Sequence, residues 1–301
     1  MKLTRPAISP AVSTKVWLST HARVLDPRDA NISVFDRGFL YGDSVYETLR
    51  TAGGRVVELG PHLDRLRRSA QGIAFDLPFT DAELTAAVNE TVAAAANPDS
   101  RIRVVVTRGS GPIALDTREA ESPVLVVMVS PIVIPTAQEY ARGISAVIVG
   151  REGAIRPGLK TGNYLGNILA LRHAHELGAE DAIMCNDRGE VAEGATSNLF
   201  MVVDGSVHTP SLATGLLAGI TRGVVIRQLA QRLGIATCER SITAEELNVA
   251  DEVFLTSSVR GVMPVTTLGG KTVGNGTAGP VTRRVQAIYE EFLTDPQTDL
   301  E

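Results

Sequence analysis

The sequence predicts an α/β (α+β) protein of two domains, and three observations carry that expectation. Runs rich in β-branched residues are interleaved with amphipathic stretches that have helix caps. A proline-broken polar stretch spans residues 131–142, and neither half shows an internal repeat or the βαβ rhythm of a doubly wound sheet. At 301 residues and 44% hydrophobic content, the chain can bury two ordinary cores.

Residues 1–14, with two prolines and no long apolar run, read as an N-terminal arm. The first α/β domain, 15–130, opens with "KVWL", "ARVL", "SVYETLRT" and "RVVEL". These read as strands of an antiparallel meander with Gly53-Gly54 as a hairpin turn. "PHLDRLRRSAQGI" starts a helix with Pro61 in its first turn, where a missing N–H costs nothing. "TDAELTAAVNETVAAAA" starts another with a capping box of Thr80 and Glu83. "RIRVVVTRG" and "VLVVMVS" are continuously apolar enough for buried strands. "PIVIPTAQEYAR", 131–142, is the expected interdomain linker. The C-terminal α/β domain, 143–301, then carries strands "SAVIVG", "DAIMCN", "NLFMVV" and "EVFLT" and helices near 163–177, 219–234 and 278–293. Its first helix has Leu165, Ile168, Leu169, Ala174 and Leu177 at three-and-four spacing ahead of Gly178, and Thr243 with Glu246 makes a second capping box.

Composition excludes several functions. The net charge of −5, with no run of five like charges, gives no footprint for nucleic acid or an anionic membrane. Cys185, Cys238 and five scattered histidines do not supply a disulfide framework or a metal site, so no metal is expected. No stretch approaches the roughly 20 apolar residues that span a bilayer, nor is there a signal-peptide run. The expectation is a cytoplasmic protein without a membrane partner.

The chemistry concentrates at a few positions. Lys160, in "GLKTGNYLGNIL", sits between Gly158 and Gly162 at the start of a helix, with no acidic residue in the stretch. A lysine on such a bend, partly buried, has its pKa lowered and becomes a nucleophile toward an aldehyde, which is what a Schiff-base lysine requires. In "GEVAEGATSNLF", Glu193 precedes a turn and an apolar strand. It is either a solvated turn residue or the carboxylate that a pyridoxal phosphate enzyme needs on the ring nitrogen to keep its electron sink protonated. Gly219, Ile220 and Thr221 open a helix, where amides and dipole favour an anion, and Thr256, Ser257 and Ser258 end a strand with three hydroxyls. Arg65, one turn after His62 in "HLDRLRRSA", is either a solvated charge or a phosphate fork.

Taken together, "FDRGFLYGDSVYETLRT", "HLDRLRRSA", "LKTGNYLGNILA", "GEVAEGATSNLF", "LLAGITR" and "DEVFLTSSVRGVMPV" resemble the fold-type IV (class IV) pyridoxal phosphate-dependent aminotransferases, in order and in register from about residue 30 to 293. The resemblance implies a smaller N-terminal and a larger C-terminal domain, pyridoxal 5'-phosphate as cofactor and a homodimer. It makes Lys160 the Schiff-base and proton-shuttling lysine, Glu193 the partner of the pyridine nitrogen and Tyr164 the partner of the ring hydroxyl. Arg65, the amides of Ile220 and Thr221, and Thr256 with Ser257 would hold the phosphate. The implied reaction moves an amino group from a branched-chain L-amino acid or a D-amino acid to a 2-oxo acid such as 2-oxoglutarate or pyruvate.

The substrate motifs half-match several templates. Branched-chain aminotransferases carry Tyr-x-Arg where this chain has Arg101-Ile102-Arg103, and aromatic-Glu-Gly where it has Tyr46-Glu47-Thr48. D-amino acid aminotransferases resemble "DRGFLYGDSVYET" but place an Arg-x-His carboxylate trap near Pro112–Leu115. Thr48 and "RGSG" (108–111) also resemble aminodeoxychorismate lyases, the alternative, while "GPVTRRVQ" (279–286) resembles the aminotransferases. An (R)-selective amine transaminase is a further alternative. Arg50, Arg101, Arg103 and Arg260 are candidates for the substrate carboxylate and Tyr46 for a pocket wall. Several guanidinium groups in one pocket repel, so one or two of the four are expected to line it.

Overall fold

The computed structural model describes residues 14–150 and 158–295, so the expected arm lies outside the described residues except for Thr14. The chain divides between Val133 and Ile134 into two compact units, each with its own sheet.

The first unit runs β1 (Lys15–Leu18), β2 (Arg23–Leu25), α1 (Arg37–Tyr41), β3 (Ser44–Ala52), β4 (Arg55–Val56), α2 (Leu59–Gly72), α3 (Asp81–Ala95), β5 (Ser100–Thr107) and β6 (Val124–Pro131). Its sheet is antiparallel with order β2-β1-β6-β5-β3-β4. The expected meander is therefore split: the hairpins β1–β2 and β3–β4 stand at opposite edges, and β5 and β6 are inserted between them. Gly53 and Gly54 make the second hairpin with φ of +57° and +78°, the left-handed values that a tight turn needs. The strand expected over "RVVEL" stops at Val56, because Glu58 turns left-handed and α2 begins at Leu59, two residues before Pro61. The Thr80–Glu83 capping box forms as the sequence predicts.

Helices α2 and α3 cover one sheet face. Leu63, Leu66, Leu84 and Val88 pack there on Val45, Leu49, Ile102, Val104 and Val127. Strand alternation sends every second residue the other way. Thus β5 is not buried on both faces as expected; Arg101 is exposed and Arg103 and Val105 are half-buried.

The second unit runs α4 (Ala137–Arg142), β7 (Ile144–Gly150), α5 (Leu165–Glu176), β8 (Asp181–Cys185), β9 (Val191–Gly194), β10 (Asn198–Val203), β11 (Ser206–Pro210), α6 (Ile220–Leu233), β12 (Thr237–Arg240), α7 (Ala244–Asn248), β13 (Glu252–Ser257), β14 (Gly261–Leu268), β15 (Lys271–Thr272) and α8 (Pro280–Thr294). Its sheet is mixed, with order β12-β11-β10-β13-β14-β7-β8-β9 and β15 beside β14. Strands β7 and β8 are parallel and joined through α5, a strand–helix–strand crossover that the sequence reading did not expect. Residues 151–164 separate β7 from α5 and disguise the rhythm. The stretch expected as linker supplies α4, whose capping box joins Thr136 to Glu139; Arg142 O then accepts the Thr266 hydroxyl.

One sheet face packs Leu199, Met201, Val253, Leu255 and Met263 against Ile242 and Leu247. Helices α6 and α8 lie against β13 and β14. The stripe on α5 is present but uncovered: Leu165, Ile168, Leu169 and Leu177 are 51–66% exposed, and only Ala174 is buried, against Ala182 and Met184. Among the described residues no helix is long and apolar enough to cross a membrane.

Candidate active site

In the second unit one short loop gathers most of the expected cofactor residues. Gly158 has φ +84°, and a Cβ there would lie 3.3 Å from Leu216 O, so the bend before Lys160 runs beside the 216–219 segment. Half-buried Lys160 has its Nζ 5.6 Å from the Tyr164 ring centroid. The Tyr164 hydroxyl donates to Ala195 O at 3.3 Å, and Asn167 Nδ2 donates to the same carbonyl at 2.8 Å. Glu193 is not a solvated turn residue: it lies in β9, 7% exposed, and its Oε2 accepts the Leu217 N–H at 3.0 Å.

The Leu217 carbonyl is in turn held by Asn198 Nδ2 at 2.8 Å. Asn198 is registered opposite Thr256 across β10 and β13, so it ties the hydroxyl strand to the start of α6. Gly219 is the N-cap of α6, and no side chain caps that helix. A Cβ on Gly219 would fall 1.7 Å from Asn198 Oδ1, so the close approach needs glycine. Arg222 anchors the first turn, donating to Thr209 Oγ1, Pro210 O and Glu239 Oε2.

Thr256 Oγ1 is buried without a hydrogen-bond partner among the described residues, and so is Ser197 Oγ. An orphaned buried hydroxyl beside an uncapped helix start fits an anion, and a carboxylate and a lysine nearby fit a pyridine ring with an aldehyde. The donor set therefore suits pyridoxal phosphate. Ser257 is engaged differently, its Oγ accepting the Arg260 N–H at 3.3 Å.

In the first unit, alternation places Tyr46, Thr48 and Arg50 on the sheet face away from α2. Thr48 is registered with Arg103 and Arg50 with Arg101. Five of the six expected pocket residues thus share one face. Arg103 stacks its guanidinium 3.9 Å over the Tyr46 ring, a cation–π contact. Arg50 is buried with Nε donating to Thr51 O, and Arg101 is exposed. The sixth residue, Arg260, lies in the second unit, where it pairs with buried Asp181 and its carbonyl accepts the Tyr140 hydroxyl.

Arg65 is on the opposite, helix-covered face and is not solvated. It is 6% exposed, and its Nε and Nη2 donate to Glu47 at 2.8 and 2.6 Å; His62 Nδ1 lies 2.7 Å from the same carboxylate. Burial alone pushes the Glu47 carboxyl up, but the Arg65 charge and the hydrogen bonds from Arg65 and His62 outweigh it and hold the pKa at about 2. Residues of the "FDRGFLYGDS" motif act as pins. Asp43 accepts from both Arg37 and Arg108, and Arg37 Nη1 and Nη2 reach the carbonyls of Ala114 and Leu115. They fix the loop in which Pro112–Leu115 stands.

Glu47 and Asn198 carry no role in the sequence reading. Glu47 had a signal: an acid on the strand phase of Val45 and Leu49 is an acid in a core, and a buried acid needs partners. Asn198 had none, since its partners are backbone groups of a distant loop.

The class IV aminotransferase family matches residues 44–268. A Methanocaldococcus jannaschii protein provisionally named a branched-chain-amino-acid aminotransferase is 36% identical over 93% of this chain and 96% of its own length. The D-alanine aminotransferase of Bacillus licheniformis is 35% identical over 91% and 95%. Among solved structures, the branched-chain aminotransferase of the thermophilic archaeon Thermoproteus uzoniensis with norvaline superposes with a TM-score of 0.86 at 34% identity, covering 95% of this chain and 97% of that one. The chain belongs to the class IV aminotransferases. It is an enzyme that transfers amino groups, and the names of its relatives favour this over the lyase and amine transaminase alternatives.

Proposed function

We propose that this chain uses pyridoxal 5'-phosphate to move an amino group from a branched-chain L-amino acid to a 2-oxo acid such as 2-oxoglutarate. The observation that carries the cofactor assignment is the single loop, Leu216–Gly219, that joins the Lys160 bend, Glu193 and the start of α6. When bound, the cofactor supplies an aldehyde and an electron sink for the substrate α-carbon. Lys160 Nζ would hold that aldehyde and, once an amino donor has displaced it, would be the free amine placed to carry the α-proton. Glu193 accepts the N–H of the pyridine ring, its carboxylate oriented by the Leu217 amide. Tyr164 serves the ring hydroxyl. The amides of Ile220 and Thr221, the Thr256 hydroxyl, Ser257 and Arg65 hold the phosphate, the α6 dipole adding to the attraction.

Among the four arginines, Arg103 is the one we assign to the substrate carboxylate, with Tyr46 and Thr48 beside it as pocket wall. Arg260 and Arg50 are committed to Asp181 and Thr51 O, and Arg101 is exposed. The apolar Pro112–Leu115 stretch supports a branched-chain donor. A D-amino acid donor is the second reading, supported by the similar identity of the D-alanine enzyme. The uncovered α5 stripe supports a homodimer, and unpaired Cys185 and Cys238 suit the reducing cytoplasm.

The test is the absorbance of the cofactor-loaded protein mixed separately with L-leucine, D-alanine, a primary amine and aminodeoxychorismate, with no acceptor. Conversion of the cofactor to its amino form is expected with L-leucine. Conversion with D-alanine alone would reverse the donor assignment, and pyruvate release from aminodeoxychorismate with unchanged cofactor would overturn transamination.

A further inference from the structure

Strand β9 does not run in step with its neighbour from the preceding turn to Glu193. Val191 is registered with Cys185 and Glu193 with Met184, so Val191 and Ala192 together stand opposite a single residue of β8. That is a β-bulge, and it reverses the phase of the residues after it. Val191 packs with Ile183 and Cys185 in the core that also holds Ile242 and Leu247. In a regular strand Glu193, two residues on, would share that apolar face, where an unpaired carboxylate is costly. The extra residue registers it instead with Met184, which packs with Ala174 of α5 and with Ala195, the residue whose carbonyl accepts the Tyr164 hydroxyl.

One side chain fixes the turn ahead of the bulge. Asn186 Oδ1 accepts the N–H groups of Arg188 and Glu190, both at 3.0 Å, and its Nδ2 donates to Glu190 Oε2 at 2.8 Å. Its backbone N–H donates to Glu190 O at 2.8 Å, which pins Cys185 against Val191. The same Nδ2 reaches Thr214 O at 3.2 Å, and Arg188 Nη2 reaches Ala213 O at 3.1 Å. Three residues after Thr214 comes Leu217, whose N–H donates to Glu193. The turn thus ties down both the strand that carries the carboxylate and the segment that carries its amide donor. Resting on the assignment of Glu193 to the pyridine nitrogen, we propose that the bulge at Ala192 re-aims Glu193 from the apolar core to that nitrogen, with Asn186 as the positioning residue that sets the register and delivers the Leu217 N–H. The start of α6 and Thr256 are braced through Asn198 instead, so the phosphate end does not depend on this turn.

The two ends of the cofactor can be read separately. The full-length protein, freed of cofactor, is titrated with three ligands, following the absorbance of each as it binds. They are pyridoxal phosphate, its 1-deaza analogue with C–H in place of the ring nitrogen, and pyridoxal, which lacks the phosphate. The ratio of dissociation constants for the first two reads the nitrogen contact, and pyridoxal against pyridoxal phosphate reads the phosphate contact. Asn186→Ala removes all four side-chain hydrogen bonds of the turn's hub. It is expected to lower the nitrogen preference about tenfold, the scale of a lost charge-assisted hydrogen bond, and to leave the phosphate preference unchanged. In a Glu193→Ala background the same change is expected to add nothing to the loss of nitrogen preference. A fall in both preferences alike would mark Asn186 as merely structural and overturn the proposal, as would a nitrogen preference that does not fall. If Asn186→Ala does not fold by circular dichroism, Arg188→Ala decides: Arg188 is exposed, and its bond to Ala213 O belongs to the same tie, so an undiminished nitrogen preference there overturns the proposal. A wild-type protein that binds pyridoxal phosphate no tighter than the deaza analogue would instead defeat the role of Glu193 on which this rests.

Discussion

Glu193 Oε2 accepts a backbone amide, Leu217 N–H, which ties the carboxylate to the loop before α6. Lys160→Ala is expected to lower turnover at least about a thousandfold while leaving the thermal midpoint close to that of the wild type, because the side chain is only half-buried. Glu193→Ala is expected to retain the cofactor yet slow exchange of the substrate α-proton with deuterated water by about a hundredfold or more. Normal exchange in that variant would remove Glu193 from the chemistry. Both candidates stand out in the sequence because reactive side chains are set against glycine-rich surroundings. The bracing residues Glu47 and Asn198 do not, since bracing is defined by partners far away in sequence.

At the level of elements, the start of α6 carries the sharpest constraint. Gly219→Ala would drive a methyl group to 1.7 Å from Asn198 Oδ1, so either the amide or the helix start must move. The expected result is a loss of about 1–3 kcal/mol of stability, the usual cost of overpacking, together with weaker binding of pyridoxal phosphate. A variant that melts and binds like the wild type would show that this contact is soft. Helix caps were the most legible elements, because Thr80–Glu83 and Thr243–Glu246 are local in sequence. The same signal in Thr136–Glu139 marks a helix inside the stretch expected as linker. Strand β14 escaped because Pro264 interrupts its pattern, although the residue sits in register opposite Phe254. Strands β9 and β15 are too short for any period to show.

At the scale of the whole molecule, each unit closes its own core, and what it leaves uncovered is informative. Leu165, Ile168 and Leu169 stand exposed along one row of α5, a patch that water disfavours unless another surface meets it. Sedimentation of the wild type is expected to give twice the chain mass, and Ile168→Asp to shift the population toward one chain; a monomeric wild type would refute the homodimer. The order of strands was not legible in the sequence, since hairpins at opposite edges have the same local sequence as neighbours. One last consequence follows from the peptide group of Leu217, whose N–H is held by Glu193 and whose C=O is held by Asn198, two residues before Gly219, the N-cap of α6. Covalent bonds set the span from there to the helix amides, and covalent bonds do not stretch. That span is a ruler laid between the nitrogen end and the anion end of whatever binds, so an analogue with one extra methylene between ring and phosphate would satisfy one end and miss the other.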